Sequence, residues 1–227
     1  GLAALAAMPG VDPALLALHR RFPMHDGGSF HGWENLDPRF HLDRDPHEAL
    51  RFGWMVEIDP RDPRAPGRKR TALGRMMHES AACTATRDGR AVVYLGDDDV
   101  FEYVYKFVSR GRIEPARGAA NGALLDDGVL HVARFDADGT GEWLPLVHGQ
   151  GPLVAANGFA DAGEVSIKTR LAADRLGATP MDRPEDIAIH PSSGRVYVAL
   201  TMNHQRTADA RLALAVGIEA GIALGAL

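Results

Sequence analysis

The chain has 227 residues, 45% hydrophobic and 24% charged, the composition of a folded chain with a sizeable core rather than a disordered tail. Twenty-five Lys and Arg against thirty Asp and Glu leave a net charge of -5, so no basic field exists to hold a nucleic acid backbone and no nucleic acid partner is expected. A single cysteine, Cys83, excludes an internal disulfide and a Cys-rich zinc site, and no run of eighteen apolar residues is present to span a membrane.

Taken in chain order, Gly1 to Met8 is short and Ala/Leu-rich, and Asp12-Pro13 caps and opens a helix through Leu15, Leu16, Leu18 and His19, stopped by Pro23. From His25 to Asp45 glycines, Pro38 and scattered aromatics share no period, which predicts a long surface loop of the kind that often carries function. Phe52 to Ile58 reads as a strand closed by the turn cluster Asp59-Pro60-Arg61-Asp62-Pro63. Arg90 to Leu95, after the turn signal Asp88-Gly89, and Tyr103 to Val108 read as strands. Val129 to Phe135 and Gly141 to Leu146 flank Asp136-Ala137-Asp138-Gly139-Thr140 and form one hairpin; Ile187 to His190 and Arg195 to Leu200 flank Pro191-Ser192-Ser193-Gly194 and form another. Between them Glu164 to Leu176 fits one helix capped by Gly177. The predicted fold class is mainly β with a few short helices. Sandwich, barrel and propeller all fit short strands in hairpins, and the spacing favours a partial β-propeller although no strict repeat is visible. Thr207 to Leu227 departs in composition, and reads either as an amphipathic helix or as a frame change at the end of a partial gene.

Three clusters offer chemistry: His78-Glu79, Gly96-Asp97-Asp98-Asp99 with Glu102, and Asp182-Arg183-Pro184-Glu185-Asp186. Carboxylate oxygens are ligands of hard cations such as calcium and also suit ferric iron; the competing reading of the Asp-rich run is a solvated turn. Arg183 beside Glu185 and Asp186 joins a guanidinium fork to cation ligands, or makes an internal salt-bridged turn. His78-Glu79 lacks the second histidine of a zinc-protease helix, since position 82 is Ala82. No Gly-x-Ser-x-Gly elbow and no P-loop is present. Cys83 reads as a buried small apolar residue.

The run Phe52-Gly53-Trp54-Met55-Val56-Glu57-Ile58-Asp59-Pro60, Lys69 to Arg75 leading to His78-Glu79, Val93-Tyr94-Leu95-Gly96-Asp97-Asp98, Glu102 to Ser109, Ala133 to Gly141, and Arg183-Pro184-Glu185-Asp186 resembles the PhoX-type alkaline phosphatases over roughly Leu50 to Arg206. The resemblance implies a β-propeller that hydrolyses phosphate monoesters with ferric iron and calcium ions, exported to the periplasm or secreted by the twin-arginine route. Carried over by position, Glu79 matches an iron-binding glutamate, Glu185 a metal-bridging glutamate and Arg183 the arginine that holds the substrate phosphate. Asp98 enters as a further metal candidate, and Asp97, Glu102 and Lys106, which match the same motif stretch, enter as weaker candidates with no assigned role. On this reading 1–206 is a partial propeller domain, with a helix and long loop over 1–50 and strands over 51–206, and 207–227 is an atypical tail.

The pattern also departs from the family. Its Cys-Glu-Glu motif is absent, Ser80 stands where glycine is expected, and Met202-Asn203 replaces a pair of asparagines. Gly1 in place of Met and the unlike tail give the expectation of a partial sequence, with the export signal and later blades outside it, and therefore of a piece inactive alone. A calcium-stabilised propeller scaffold and a propeller lactonase or phosphotriesterase remain as alternatives, and the sequence assigns no oligomeric state.

Overall fold

The computed structural model describes residues 1–22, 24 and 26–206; Pro23, His25 and the tail at 207–227 lie outside the described residues. The described residues divide into two compact units, the first ending at Gly53 and the second beginning at Trp54.

In the first unit α1 (Leu2–Ala6) and α2 (Pro13–Arg21) form much as the sequence predicts. The Asp12 carboxylate accepts from Ala14 N at 2.8 Å, which satisfies one of the amides that a helix start leaves unpaired. His19 is buried, with its Nε2 2.7 Å from the Pro46 carbonyl, and occupies an interior packing position. The predicted loop contains two single-turn 3₁₀ helices, Trp33–Asn35 and Pro38–Phe40. A cavity of about 540 Å³ is lined by Phe30, Trp33, Phe40 and Phe52, and none of the predicted site residues reaches it.

The second unit is built on a five-stranded antiparallel meander. Its strands follow a small ribbon of β1 (Val56–Glu57) and β2 (Arg68–Lys69), and comprise β3 (His78–Ala85), β4 (Arg90–Asp97), β5 (Val104–Arg112), β6 (Gly128–Phe135) and β7 (Gly141–Pro145). Two helices, α3 (Ala162–Ile167) and α4 (Thr169–Leu176), come next, and the separate hairpin of β8 (Pro184–Ile189) and β9 (Val196–Leu200) follows. Alternation along β4 and β5 supplies two cores. Val93, Leu95, Tyr105 and Phe107 face one way with Ala172 and Ala173 of α4; Val92, Tyr94, Val104 and Val108 face the other with Ile187 and Val196 of the hairpin. Both faces of the sheet are thus covered, which explains the nearly unbroken apolar run of β4. Each such side chain contributes roughly 1.5–3 kcal/mol of transfer free energy.

Several expectations need correction. The strand expected over Phe52 to Ile58 is only Val56–Glu57, with Trp54 in an isolated bridge to Arg75. The helix expected over Glu164 to Leu176 is two helices that meet at Lys168, whose φ of -98° and ψ of 32° break the helical path. Its Nζ donates to the Gly158 carbonyl at 2.7 Å and pairs with Glu164 at 3.0 Å. Cys83 is exposed rather than buried, because it lies on edge strand β3, which pairs on one side only. The mainly β class with a few short helices stands, while among the described residues no barrel or propeller closes.

Candidate active site

The predicted acids collect where β3, β4 and β8 meet. Opposite Asp97 to Leu95 of β4, strand β3 runs from His78 to Ala81, one residue more, so Glu79 and Ser80 form a β-bulge. Opposite Leu200 to Val198 of β9, strand β8 runs from Pro184 to Ile187, again one residue more, and this bulge contains Glu185 and Asp186. Both glutamates singled out in the sequence therefore stand on bulges, which turn side chains out of the regular alternation. Ser80 Oγ donates to the Glu185 carbonyl at 3.0 Å and ties the two bulges together. Gly96 permits this approach: a Cβ there would stand 2.6 Å from the Pro184 carbonyl oxygen and 2.8 Å from that of Glu185.

Arg183 adopts φ 50°, and Phe101 in the facing loop adopts φ 63°; among the described residues these are the non-glycine positions at positive φ. Each costs on the order of 1–3 kcal/mol, and the surrounding contacts hold it in place. Val100 bridges to Asp182, the Asp182 carboxylate is gripped by Arg206 and by Asn203 Nδ2 at 2.8 Å, and the Arg206 guanidinium lies over the Phe101 ring at 5.1 Å. From this frame Arg183 Nη2 donates to Asp98 Oδ2 at 3.1 Å and to Glu185 Oε1 at 3.2 Å. Asp98 Oδ1 is buried and also 3.1 Å from that nitrogen, but its geometry forms no hydrogen bond, so one carboxylate oxygen is left unsatisfied. The Arg183 side chain is 37% exposed, and its Nε and Nη1 groups have no partner among the described residues.

Glu79 is exposed and, among the described residues, makes no hydrogen bond or ion pair. Two of the three carboxylates proposed as metal ligands, Asp98 and Glu185, thus meet on one guanidinium, and the third stands on the adjoining bulge. Among the described residues no group of three or more His, Cys, Asp or Glu side chains is arranged to hold a metal ion. The donors nevertheless suit a hard cation: one buried carboxylate oxygen has no hydrogen bond, and one exposed carboxylate has no partner.

The weaker candidates separate from this group. Asp97 is fully buried and takes a bidentate pair from Arg170, with Nε to Oδ2 at 2.8 Å and Nη2 to Oδ1 at 2.6 Å. Asp99 and Glu102 also face Arg170, at 3.4 and 3.5 Å. Burial works to lower the pKa of Arg170, but the hydrogen bonds and charge of Asp97 outweigh it and hold the pKa above the ordinary value. Sequence reasoning missed Arg170; its one signal was an arginine on the face of α4 that also buries Ala172 and Ala173. Lys106 is buried on the opposite face of the sheet from Tyr105, its Nζ 4.7 Å from the Trp143 ring centre, and burial lowers its pKa to about 8. Burial likewise lowers the pKa of His78, whose Nε2 is 3.0 Å from the Gly74 carbonyl.

Fold and site together define a mainly β protein that presents a partly exposed arginine held by two carboxylates. The family described as alkaline phosphatase PhoX matches residues 19–219, and the chain belongs to that family. The match extends past the expected range at both ends and takes in part of the tail set apart on composition. The chain is similar to the solved structure of Pseudomonas fluorescens PhoX in complex with vanadate, a transition state analogue, at 47% identity and a TM-score of 0.82 over 89% of this chain. It spans 36% of that protein's length. No curated protein matches.

Proposed function

We propose that the chain is the part of a metal-dependent alkaline phosphatase that holds the phosphate group of a monoester substrate. The observation that carries this reading is Arg183, anchored through one nitrogen by Asp98 and Glu185 on a strained backbone while its other N–H groups stay free. A guanidinium held this way offers a fixed fork to two phosphoryl oxygens, and its orientation is set before the substrate arrives. Family membership and the likeness to a vanadate-bound PhoX support the same reading.

Asp98, Glu185 and Glu79 are the residues that would hold calcium and ferric ions. Bound there, such cations would neutralise phosphoryl oxygens and supply an oxygen nucleophile at a lowered pKa, so that a monoester and water give an alcohol and inorganic phosphate. Arg183 binds and orients the phosphoryl group as charge gathers on its oxygens, and the Asp98 and Glu185 carboxylates fix that orientation. In the whole protein the meander and the β8–β9 hairpin are proposed as successive blades of a propeller, with residues 1–50 as a helix-and-loop insertion before them. Export to the periplasm or medium belongs to the same proposal.

Hydrolysis of p-nitrophenyl phosphate at alkaline pH tests it, using the chain within its complete reading frame and the 227-residue chain alone, with calcium and iron supplied and a chelator control. Chelator-sensitive turnover that Arg183→Ala and Glu185→Gln abolish is the expected result. No turnover by the metal-loaded protein overturns the reading and favours a calcium-stabilised scaffold.

A further inference from the structure

We infer that Arg170, which lies outside the proposed phosphate and metal site, is a positioning residue for Arg183 and acts through the loop from Asp97 to Glu102. The inference rests on the reading of Arg183 as the phosphate-holding group.

Both oxygens of the Asp97 carboxylate are fixed by the Arg170 fork. The third guanidinium nitrogen reaches Asp99 and Glu102, so one buried cation spans the loop from its first residue to its last. Asp97 Oδ1 also accepts from Met77 N at 3.0 Å, and Asp98 N donates to the Met77 carbonyl at 2.9 Å. Met77, the residue just before β3 and two before Glu79, is thereby fastened to the same loop. With Asp97 turned inward onto Arg170, its neighbour Asp98 is free to turn onto Arg183. The loop touches Arg183 a second time through its backbone, because Val100 bridges to Asp182, the residue that precedes Arg183. Arg170 therefore orders both contacts that hold Arg183 at its unfavourable φ.

The fork geometry is what this role needs. A lysine keeps the charge but cannot meet two oxygens of Asp97 and two further carboxylates in one plane, which makes Arg170→Lys the informative change. The readout is the rate at which phenylglyoxal labels Arg183, followed by mass spectrometry, with exposed Arg195 as internal control. Arg170→Lys is expected to speed Arg183 labelling roughly threefold or more as the Asp98 contact loosens, leaving Arg195 unchanged. Asp98→Asn should do the same, and the double variant should add little, as expected for residues that act in series. Asp99→Asn, which weakens the outer contact alone, keeps the test open if Arg170→Lys does not fold.

Inorganic vanadate binding to the metal-loaded protein is the second readout, and Arg170→Lys should weaken it about tenfold. Unchanged Arg183 labelling and vanadate affinity alongside a lowered melting temperature would overturn the inference and leave Arg170 a structural ion pair. Faster labelling in a protein that binds no vanadate at all would keep the positioning role and sink the phosphatase reading instead.

Discussion

Two arginines serve the same acidic end of one sheet, and they are built differently. Arg170 is fully buried and faces Asp97, Asp99 and Glu102, with its fork closed on one carboxylate. Arg183 is more than a third exposed, touches two carboxylates through a single nitrogen, and leaves an oxygen of Asp98 without a hydrogen bond. A closed cluster of this kind fixes structure, because removing one member strands buried charge. An open cluster keeps unused donors and acceptors, which is what a ligand requires. The clusters are consecutive along the chain, since Asp97 belongs to one and Asp98 to the other.

The sharpest break of this contrast is Arg170→Met. Three carboxylates lose their shared cation, and the loss expected in urea unfolding is about 3–5 kcal/mol; a loss no larger than that of Arg183→Met would erase the distinction. Lys106 extends the comparison to a buried cation that, among the described residues, has an aromatic face but no carboxylate partner. Its pKa falls from 10.5 to about 8 through burial and, secondarily, the charge of Arg90. Between those values the unfolded chain binds the proton more tightly, so this group's contribution to stability rises with pH from about 8 to about 10.5. Lys106→Met should therefore stabilise the protein at neutral pH by an amount on the order of 1–2 kcal/mol, once solvent screening and the lost Trp143 contact are set against the desolvation gain. Stability curves taken across that window should show the gain shrinking towards pH 10.5; a gain independent of pH would point to packing rather than charge.

Gly96→Ala tests the seat of the open cluster. Its added carbon meets the backbone of Pro184 and Glu185, so a loss of about 1–3 kcal/mol is expected. In the chain within its complete reading frame, a matching fall in the proposed phosphatase activity at temperatures where the variant is folded would show that Glu185 has moved. The smallest effect concerns strain. Arg183→Gly should be about 1 kcal/mol more stable than Arg183→Ala, because only the glycine relaxes at φ 50°. Equal melting temperatures for the two variants would remove strain from the account.

The hairpins were legible because Asp136 to Thr140 and Pro191 to Gly194 carry turn chemistry that acts locally. Strand β3 was not, since His78 to Ala85 is mostly small residues without a large apolar alternation and is held by pairing with β4. The short β1 shows the converse error: Phe52 to Trp54 has β-favouring side chains but no ladder to join. In the site, the resemblance and the clustering of acids pointed to Arg183, Glu185, Glu79 and Asp98, and the structure brings three of these into contact. What separates Asp98 from Asp97 cannot be read from three consecutive aspartates, because the partner of Asp97 arrives from a helix 73 residues away. Both bulges and the positive φ of Arg183 depend on strand register, which one sequence does not display.

The open cluster, and not the closed one, is proposed to receive cation and phosphate. A crystal structure of the chain within its complete reading frame, grown with calcium, iron and vanadate, tests it most directly. Vanadate is expected within hydrogen-bonding distance of Arg183, with cations on Asp98, Glu185 or Glu79 and Asp97 still bidentate on Arg170. A cation on Asp97 with Arg170 displaced, or vanadate bound away from Arg183, would contradict it.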